Sequence, residues 1–429
     1  EFGQGKSATS VQSVRAAQAP ARVAISMAQH IGAPCTPLVK PGAHVLMGQK
    51  IGEPAGFMGA PVHASVSGTV KALETRVLAN GAAAQCVVIE NDFKDEWDSS
   101  LVPPEDVQSM TREELTAYTR EKGIVGLGGA AFPTSIKLSP AAEKPIDYVI
   151  LNGAECEPFL TCDHRMMLEN SAAIVDGLKY AMRISGAANG VIAIEENKPD
   201  AIEAMIKAVA NTPFIVQPLM VKYPQGGEKQ LIQAVTGRQV PSGKLPMDAG
   251  CIVMNVSTAA ALSDAISTGR PIVERIITIT GDVPSPANLR ARIGVTFGEL
   301  IEQCGGVPDD TIKIVSSGPM MGQAISRLDV PIVKATGGIL LINRAHASNI
   351  PESACIRCGR CVEACPIHLM PLRLNELVMH DRFEQAEAMH ALDCIECGSC
   401  SYVCPAKREL ALSIRMGKRE IQKRRKARK

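Results

Sequence analysis

The apolar positions change period along the chain. Between Ile25 and Ile89 short apolar runs alternate with Gly and Pro, as in Val39-Lys40-Pro41-Gly42 and Pro61-Val62-His63-Ala64-Ser65-Val66-Ser67-Gly68-Thr69-Val70. Strands of that length, punctuated by turn residues, predict a small β-sandwich or barrel. Asp92 to Pro104 is charged and Pro-containing and reads as a linker. A helix follows from Thr111 to Lys122, opened by a capping box of Thr111 and Glu114. From Tyr148 onward, blocks replace alternation. Strands at Tyr148–Leu151, Gly190–Ile194 and Phe214–Val221, and one ending at Asn255, are separated by helical patterns at Ala172–Ile184, Pro199–Ala210 and Ala259–Thr268. Strand–helix alternation predicts a parallel α/β domain. Arg275–Gly281 and Asn288–Gly306, with a helix over Phe297–Cys304, predict a small α+β insert. Strand-like runs at Lys313–Ser316 and Gly338–Ile342 follow it. Near the end, Pro366 to Asp393 carries Leu369, Leu372, Leu374, Leu377 and Val378 at helical spacing. The fold class is therefore multidomain α/β. Its expected parts are a β-rich domain (1–91), an α/β domain (105–268), the insert (269–325), a helical segment (326–410) and a basic tail (411–429).

Composition removes several function classes. At 429 residues, with roughly 150 per domain as a soft prior, two to four domains are expected. The net charge of +1 gives no field that favours nucleic acid, and 3% aromatics argue against stacking on single strands. No charged-then-apolar leader opens the sequence, and no apolar run reaches the ~18 residues of a membrane span. Cys251–Ile266 is broken by Asp264, and Ile339–Ile342 is too short. The expectation is a chain that meets a membrane only through partners. The tail from Lys418 carries eight Lys/Arg against one Glu. It reads either as a solvated, frayed helix end or as a contact for an acidic partner or anionic lipid.

The cysteines change the picture most. Of fourteen, eight fall in two copies of one spacing: Cys355, Cys358, Cys361, Cys365-Pro366, then Cys394, Cys397, Cys400, Cys404-Pro405. This is the C-x₂-C-x₂-C-x₃-C-P run of a bacterial [4Fe–4S] ferredoxin, in which the fourth cysteine ligates the other cluster. Cluster 1 is accordingly assigned to Cys355, Cys358, Cys361 and Cys404, and cluster 2 to Cys394, Cys397, Cys400 and Cys365. Zinc or disulfides are the competing explanation, and two copies of a Cys-Pro-closed run speak against them. The other six cysteines are scattered, which fits a reducing, cytoplasmic compartment. His30, His44 and His63 read as structural turn residues.

Two glycine-rich loops supply the remaining chemistry. Gly126, Gly128 and Gly129 remove side chains where backbone must approach a ligand, and Lys137 supplies a point charge for phosphate. The strand at Tyr148 ends in Asn152-Gly153-Ala154-Glu155-Cys156-Glu157-Pro158, at the edge where open α/β sheets bind ligands. Tyr223-Pro224-Gln225-Gly226-Gly227-Glu228-Lys229 opens a helix and forms a second candidate cradle. By contrast, Gly5-Lys6-Ser7 lacks the strand and leading Gly of a phosphate loop.

With those loops, Asn255-Val256-Ser257-Thr258 and the twin cysteine runs in this order, the chain closely resembles the RnfC family. These are the C subunits of membrane-bound Rnf electron-transport complexes. The likeness runs from about Ile25 to Lys407. The first domain also looks like a biotinyl/lipoyl-type hammerhead. The lysine such domains modify is missing from its hairpin tip, where Phe57 and Met58 stand, so a scaffold is expected. The central domain is similar to the FMN- and NADH-binding subunit of respiratory complex I, and the insert to the β-grasp-like (SLBB) domain of such subunits. The resemblance implies FMN against Gly126, Gly128, Gly129, Lys137, Asn152, Glu155, Gly226, Gly227, Asn255 and Thr258. It implies NADH near Phe132, Glu157, Glu228 and Lys244. Leu127 stands where the complex I relatives carry Arg, and Ala154 where they carry Asp.

Nicotinamide exchanges a hydride, a cubane exchanges one electron, and a flavin does both. No side-chain acid or base is then required. The resemblance implies a subunit, peripheral on the cytoplasmic membrane face, that passes electrons between NAD(H), FMN and two [4Fe–4S] clusters. Its partners would be a ferredoxin-like iron–sulfur subunit and integral membrane subunits that move Na⁺ or H⁺. A soluble RnfC-like cobalamin reductase, or an iron–sulfur conduit with a degenerate nucleotide pocket, remain the alternatives at this point.

Overall fold

The computed structural model describes residues 4–141, 143–347 and 350–428. The first domain is built from two small antiparallel sheets. One orders Arg22–Ser26, Ala83–Asn91, Gly68–Val77 and His44–Val45; the other orders Thr36–Pro37, Lys50–Glu53 and Val62–His63. The alternation read in the sequence has a direct cause. Val23, Ile25, Val87 and Ile89 point from one sheet, and Ile51 and Val62 from the other, into a shared core. Phe57 and Met58 are exposed, as a hairpin tip should be.

The α/β domain carries a four-stranded parallel sheet in the order Ile215–Leu219, Asn189–Glu195, Tyr148–Gly153, Cys251–Asn255. Continuous apolar runs suit strands covered on both faces. Val149 and Leu151 enter the core beneath the helices Ser171–Ser185 and Val256–Thr268, while Ile150 enters a second core with Leu231 and Ile232 of the helix Glu228–Thr236. The first two helices touch through Gly177, where a Cβ would stand 1.9 Å from the carbonyl oxygen of Ala259. Any side chain there would drive the helices apart. The strand and helix positions match the sequence expectation to within a few residues.

Two boundaries move. The expected boundary at 326 puts the strand-like run Gly338–Ile342 in the C-terminal, cysteine-bearing domain. It instead lies inside a six-stranded sheet ordered Arg15–Ala16, Ala287–Arg292, Glu274–Gly281, Gly338–Asn343, Thr311–Ser316, Gln323–Ile325. It runs parallel to Glu274–Gly281, so the insert reclaims a strand from beyond its expected end. The same sheet takes its edge from Arg15–Ala16, in the polar segment expected to belong to the β-rich domain.

The tail forms one helix, Leu410–Ala427, which buries Leu410, Ile414, Gly417 and Ile421. Ile414 and Ile421 share a core with Leu374, Leu377 and Phe383. Its cations are partly neutralised within the chain: Arg424 and Arg428 lie 3.2 and 3.3 Å from Glu384, and Arg425 pairs with Glu387. Up to Arg428 the tail is therefore part of the helical domain; Lys429 lies outside the described residues. Among the described residues no helix is long and apolar enough to cross a membrane.

Candidate functional site

The two cysteine runs repeat each other's backbone at an offset of 39 residues. Arg357 and Glu396 both adopt positive φ (56° and 58°), as do Gly359 and Gly398, and then His368 and Lys407. The turn at Arg357 and Glu396 aims their N–H groups at the sulfurs of Cys355 and Cys394, at 3.4 Å in both cases. Leu369 donates likewise to Cys365 at 3.3 Å. Amides directed at sulfur are the environment a thiolate-held cluster uses to offset its negative charge.

The eight cysteines line two separate cavities. Cys394, Cys397, Cys400 and Cys365 line one narrow cavity. Cys355, Cys358, Cys361 and Cys404 line a second, wider cavity. Among the described residues no trio of His, Cys, Asp or Glu converges on a point as a single ion would need. The cavities differ in exposure. Cys355, Cys358 and Ile356 are exposed, whereas Cys397 and Cys400 are buried.

The first glycine loop is fixed from several sides. Gly126 N–H donates to the Phe132 carbonyl at 2.8 Å, which folds the loop back on itself. Leu127 N–H donates to Thr258 Oγ1 at 2.8 Å. Thr258 lies in the first turn of the helix Val256–Thr268, which Asn255 caps by accepting from Ser257 and Thr258 N–H. Gly128 packs on Asn255, where a Cβ would come within 3.2 Å of that residue's own Cβ. Gly129, at φ +102°, has open space on the side where a Cβ would stand. Opposite, Asn152 Nδ2 donates to the Gly226 carbonyl at 2.9 Å. A Cβ at Gly226 would lie 3.1 Å from Cys156 Sγ and 3.5 Å from Asn152 Oδ1. Asn152 and Asn255 are register partners at the ends of neighbouring parallel strands, so Gly226, which bonds Asn152, and Gly128 and Thr258, which contact Asn255, are brought together with the Gly126 loop at one end of the sheet.

The other expected residues are placed less uniformly. Lys137 Nζ is 2.9 Å from both Glu228 Oε1 and the Val253 carbonyl, which joins a lysine expected on phosphate to a glutamate expected on NADH. Glu155 spends its carboxylate on the N–H groups of Asp163 (2.7 Å) and His164 (3.2 Å), capping the helix Cys162–Glu169. Glu157 accepts from Met320 and Met321 N–H at 3.1 and 2.7 Å, and burial pushes its carboxyl up. Gly227 and Phe132 are half-buried in their loops. Lys244 is exposed on the loop whose Ser242 and Gly243 bond Asp393 of the cluster domain, and no hydrogen bond among the described residues joins it to the other candidates. Leu127 and Ala154, the two departures from the complex I pattern, are buried within apolar clusters. Their backbone N–H groups donate to Thr258 Oγ1 and Asn152 Oδ1.

Several supporting residues are not among the sequence candidates, and Lys6 is set aside there as part of a false phosphate loop. Lys198, 1% exposed at its side chain, donates to the Ala154 carbonyl at 2.6 Å and lies 3.6 Å from the buried Glu195. Burial pushes Lys198 down and Glu195 up. Lys6 donates to the carbonyls of Glu155 (2.8 Å), Glu157 (2.9 Å) and Leu160. Two ammonium groups thus hold the loop after Asn152 from beneath. Arg275, buried in the insert's sheet, reaches the Leu127 carbonyl at 3.4 Å and also bonds the Lys334 carbonyl. Asp163 accepts from Asn255 Nδ2 and Ser257 Oγ, each at 2.6 Å. Part of Asp163 reaches the surface, yet its carboxylate is enclosed, and burial followed by the Glu155 charge raises it to about 6.

The loop that carries Gly226 also carries the link to the cluster domain. Tyr223 OH donates to the Cys397 carbonyl at 2.7 Å, and Gln230 Nε2 lies 3.5 Å from the Pro366 carbonyl. Asp393, next to Cys394, accepts from Ser242 Oγ and from Gly243 N–H at 3.2 Å. A Cβ at Gly398 would meet the Met320 carbonyl at 2.6 Å. All four contacts fall on the cluster 2 half.

Protein-family models match along the whole order of domains. They are an RnfC barrel sandwich hybrid domain over 1–94, a Nuo51 FMN-binding domain over 119–264, an SLBB domain over 276–324 and a 4Fe-4S dicluster domain over 354–407. The chain is 49% identical over 404 residues to the C subunit of the Na(+)-translocating ferredoxin:NAD(+) oxidoreductase complex of Acetobacterium woodii, covering 94% of this chain and 91% of that one. It is 45% identical over 417 residues to the C subunit of the proton-translocating ferredoxin:NAD(+) oxidoreductase complex of Clostridium ljungdahlii, with 97% and 91% covered. Against the C subunit of the ion-translocating oxidoreductase complex of Rhodobacter capsulatus, identity is 40% over 362 residues, covering 83% and 69%. With an FMN-binding domain, a dicluster domain and relatives at this level over nearly its full length, the chain belongs to the RnfC family.

Proposed function

We propose that this chain is the electron-transfer subunit of a ferredoxin:NAD⁺ oxidoreductase complex that couples redox chemistry to Na⁺ or H⁺ translocation. Electrons would pass between NAD(H), FMN and two [4Fe–4S] clusters. FMN exchanges a hydride with nicotinamide and single electrons with a cluster, and that is the chemistry it would supply in the crevice between the two glycine loops. The chain's own residues bind and orient. Gly126, Gly128, Gly129, Asn152, Gly226, Gly227, Asn255 and Thr258 would receive the flavin, with Lys137 at its phosphate and Glu155 acting through the helix it caps. Phe132, Glu157, Glu228 and Lys244 remain the candidates for NADH, and Lys244 has the least structural support. The rival idea of a degenerate pocket rests on the Arg and Asp that Leu127 and Ala154 replace; both side chains are buried in apolar clusters.

The single observation that carries this reading is the hydrogen bond from Tyr223, on the flavin-side loop, to the carbonyl of the cluster ligand Cys397. It supports an order in which cluster 2 exchanges electrons with the flavin and cluster 1, with its exposed Cys355 and Cys358, exchanges them with a partner. That partner would be a ferredoxin-like iron–sulfur subunit, held with integral membrane subunits at the cytoplasmic face of the membrane. The test is anaerobic purification followed by NADH addition. Bleaching of the flavin band, then of the broad iron–sulfur absorption, is expected. A protein with clusters but no flavin and no response to NADH would refute the reading.

A further inference from the structure

The 39-residue repeat allows the two cluster sites to be compared position by position. Cys394 is flanked by Asp393 and Glu396; the corresponding residues around Cys355 are Ala354 and Arg357. Four thiolates make a cluster net negative, and reduction adds another negative charge, so nearby carboxylates oppose it. The cluster 2 loop therefore carries two acids where the cluster 1 loop carries none and a cation.

The helix Leu410–Ala427 answers this from across the domain. Arg415 Nε lies 2.8 Å from Glu396 Oε2. Lys418 Nζ lies 2.7 Å from Glu396 Oε1 and 2.5 Å from the Cys394 carbonyl oxygen. The corresponding helix in the other half is Pro371–Met379, and 39 residues before Arg415 and Lys418 stand Glu376 and Met379. The charge is reversed at the first position and absent at the second. Shelter differs too: Lys418 is partly buried, whereas Met379 is exposed. A sheltered charge is screened less by water and salt than an exposed one. Arg415 and Lys418 each hold one oxygen of Glu396, so the pair carries one positive charge beyond that carboxylate, and it is the Lys418 ammonium that also bonds the backbone of a cluster ligand. Asp393 is turned toward Ser242 and Gly243 of the α/β domain.

We propose that Lys418 is a positioning residue that sets the reduction potential of cluster 2 selectively, raising it by balancing the acids on either side of Cys394. This rests on the reading that both clusters are bound, and it gives the opening of the basic tail a redox role. The experiment is an anaerobic redox titration of the full chain followed by electron paramagnetic resonance, with iron counted in every sample. Lys418→Met removes the charge and the donor. Lys418→Gln removes the charge and keeps a donor, and Lys418→Arg keeps both. Cys355→Ala, which leaves only cluster 2, identifies its transition.

The Met and Gln variants should each show one transition lowered by at least a tenfold change in the reduced-to-oxidised ratio at fixed potential, about 59 mV for one electron. The other transition should stay in place, and the Arg variant should match the parent. The proposal is overturned if neither transition moves or if both move together. It is also overturned if the Gln variant behaves as the parent, or if all three variants lose four irons and so reveal a purely structural role. A parent chain with no clusters would instead sink the underlying reading.

Discussion

Asp163 offers a prediction whose size follows from the structure. Its carboxylate is enclosed and receives Asn255 Nδ2 and Ser257 Oγ, yet burial and Glu155 raise it from an ordinary 3.8 to about 6. Between those values the native chain binds a proton that the unfolded chain has released, so the unfolding free energy falls as pH rises. Over the whole window the loss is about 3 kcal/mol, because each pH unit between the two values is worth about 1.4 kcal/mol. Integrated between pH 5 and pH 7 alone it is about 1 kcal/mol. Asp163→Asn keeps an acceptor for Asn255 and abolishes the titration. Its stability relative to the parent should therefore rise by about 1 kcal/mol from pH 5 to pH 7 and stay flat above. Asp163→Ala also removes the charge, but it strands two donors at about 1–3 kcal/mol each. The Asn variant should thus be the more stable, and only the Ala variant should free Asn255 and lose flavin. Urea unfolding of the flavin-loaded protein, followed by flavin fluorescence at the two pH values, reads both effects. A stability difference that does not change with pH, or that shrinks toward pH 7, would refute the reasoning.

Other substitutions probe separate parts of the account. Gly226→Ala places a Cβ 3.1 Å from Cys156 Sγ, on the wall shared with Asn152; flavin content should fall while iron stays at the parent's level, as absorbance and iron analysis will tell. Arg275→Met strands the carbonyls of Leu127 and Lys334, at about 1–3 kcal/mol each. Thermal unfolding should show that loss, with weaker flavin retention because the glycine loop is no longer held from behind. Cys404→Ala lies in the second cysteine run yet should remove cluster 1, leaving the same paramagnetic signal as Cys355→Ala; a signal like that of Cys397→Ala would contradict the crossed ligation. Tyr223→Phe loses one hydrogen bond, about 0.5–1.5 kcal/mol. In stopped flow it should slow electron passage from flavin to cluster while leaving flavin reduction by NADH unchanged.

How much is legible in the sequence depends on whether the signal is local. The cysteine runs are legible because a cubane dictates ligand type and spacing within a few residues of chain. The parallel sheet is legible because strands buried on both faces must be apolar throughout, as Val149-Ile150-Leu151 is. Gly338–Asn343 looks no different as a strand, but its partner, Glu274–Gly281, lies some 60 residues earlier, and pairing over such distances leaves no periodic trace. Lys6, Lys198, Asp163 and Arg275 escape a sequence reading for the same reason. A single charged residue reads as surface, and only the folded chain brings Lys198 beneath Ala154 or Arg275 behind Leu127. Charge alone misjudges the tail. Ile414 and Ile421, seven residues apart on one helical face, are the available sign that it packs.

The central claim is that one polypeptide joins a two-electron terminal to two one-electron relays, with cluster 2 first in line. The most direct measurement is rapid freeze-quench electron paramagnetic resonance of the anaerobic protein mixed with NADH, comparing the parent with Cys355→Ala and Cys397→Ala. The account predicts that a reduced cluster signal still develops at the parent rate in Cys355→Ala, and that Cys397→Ala reduces its flavin but leaves its remaining cluster oxidised on the same timescale. Equal cluster reduction in both variants, or fast reduction only where Cys397 is replaced, would contradict it.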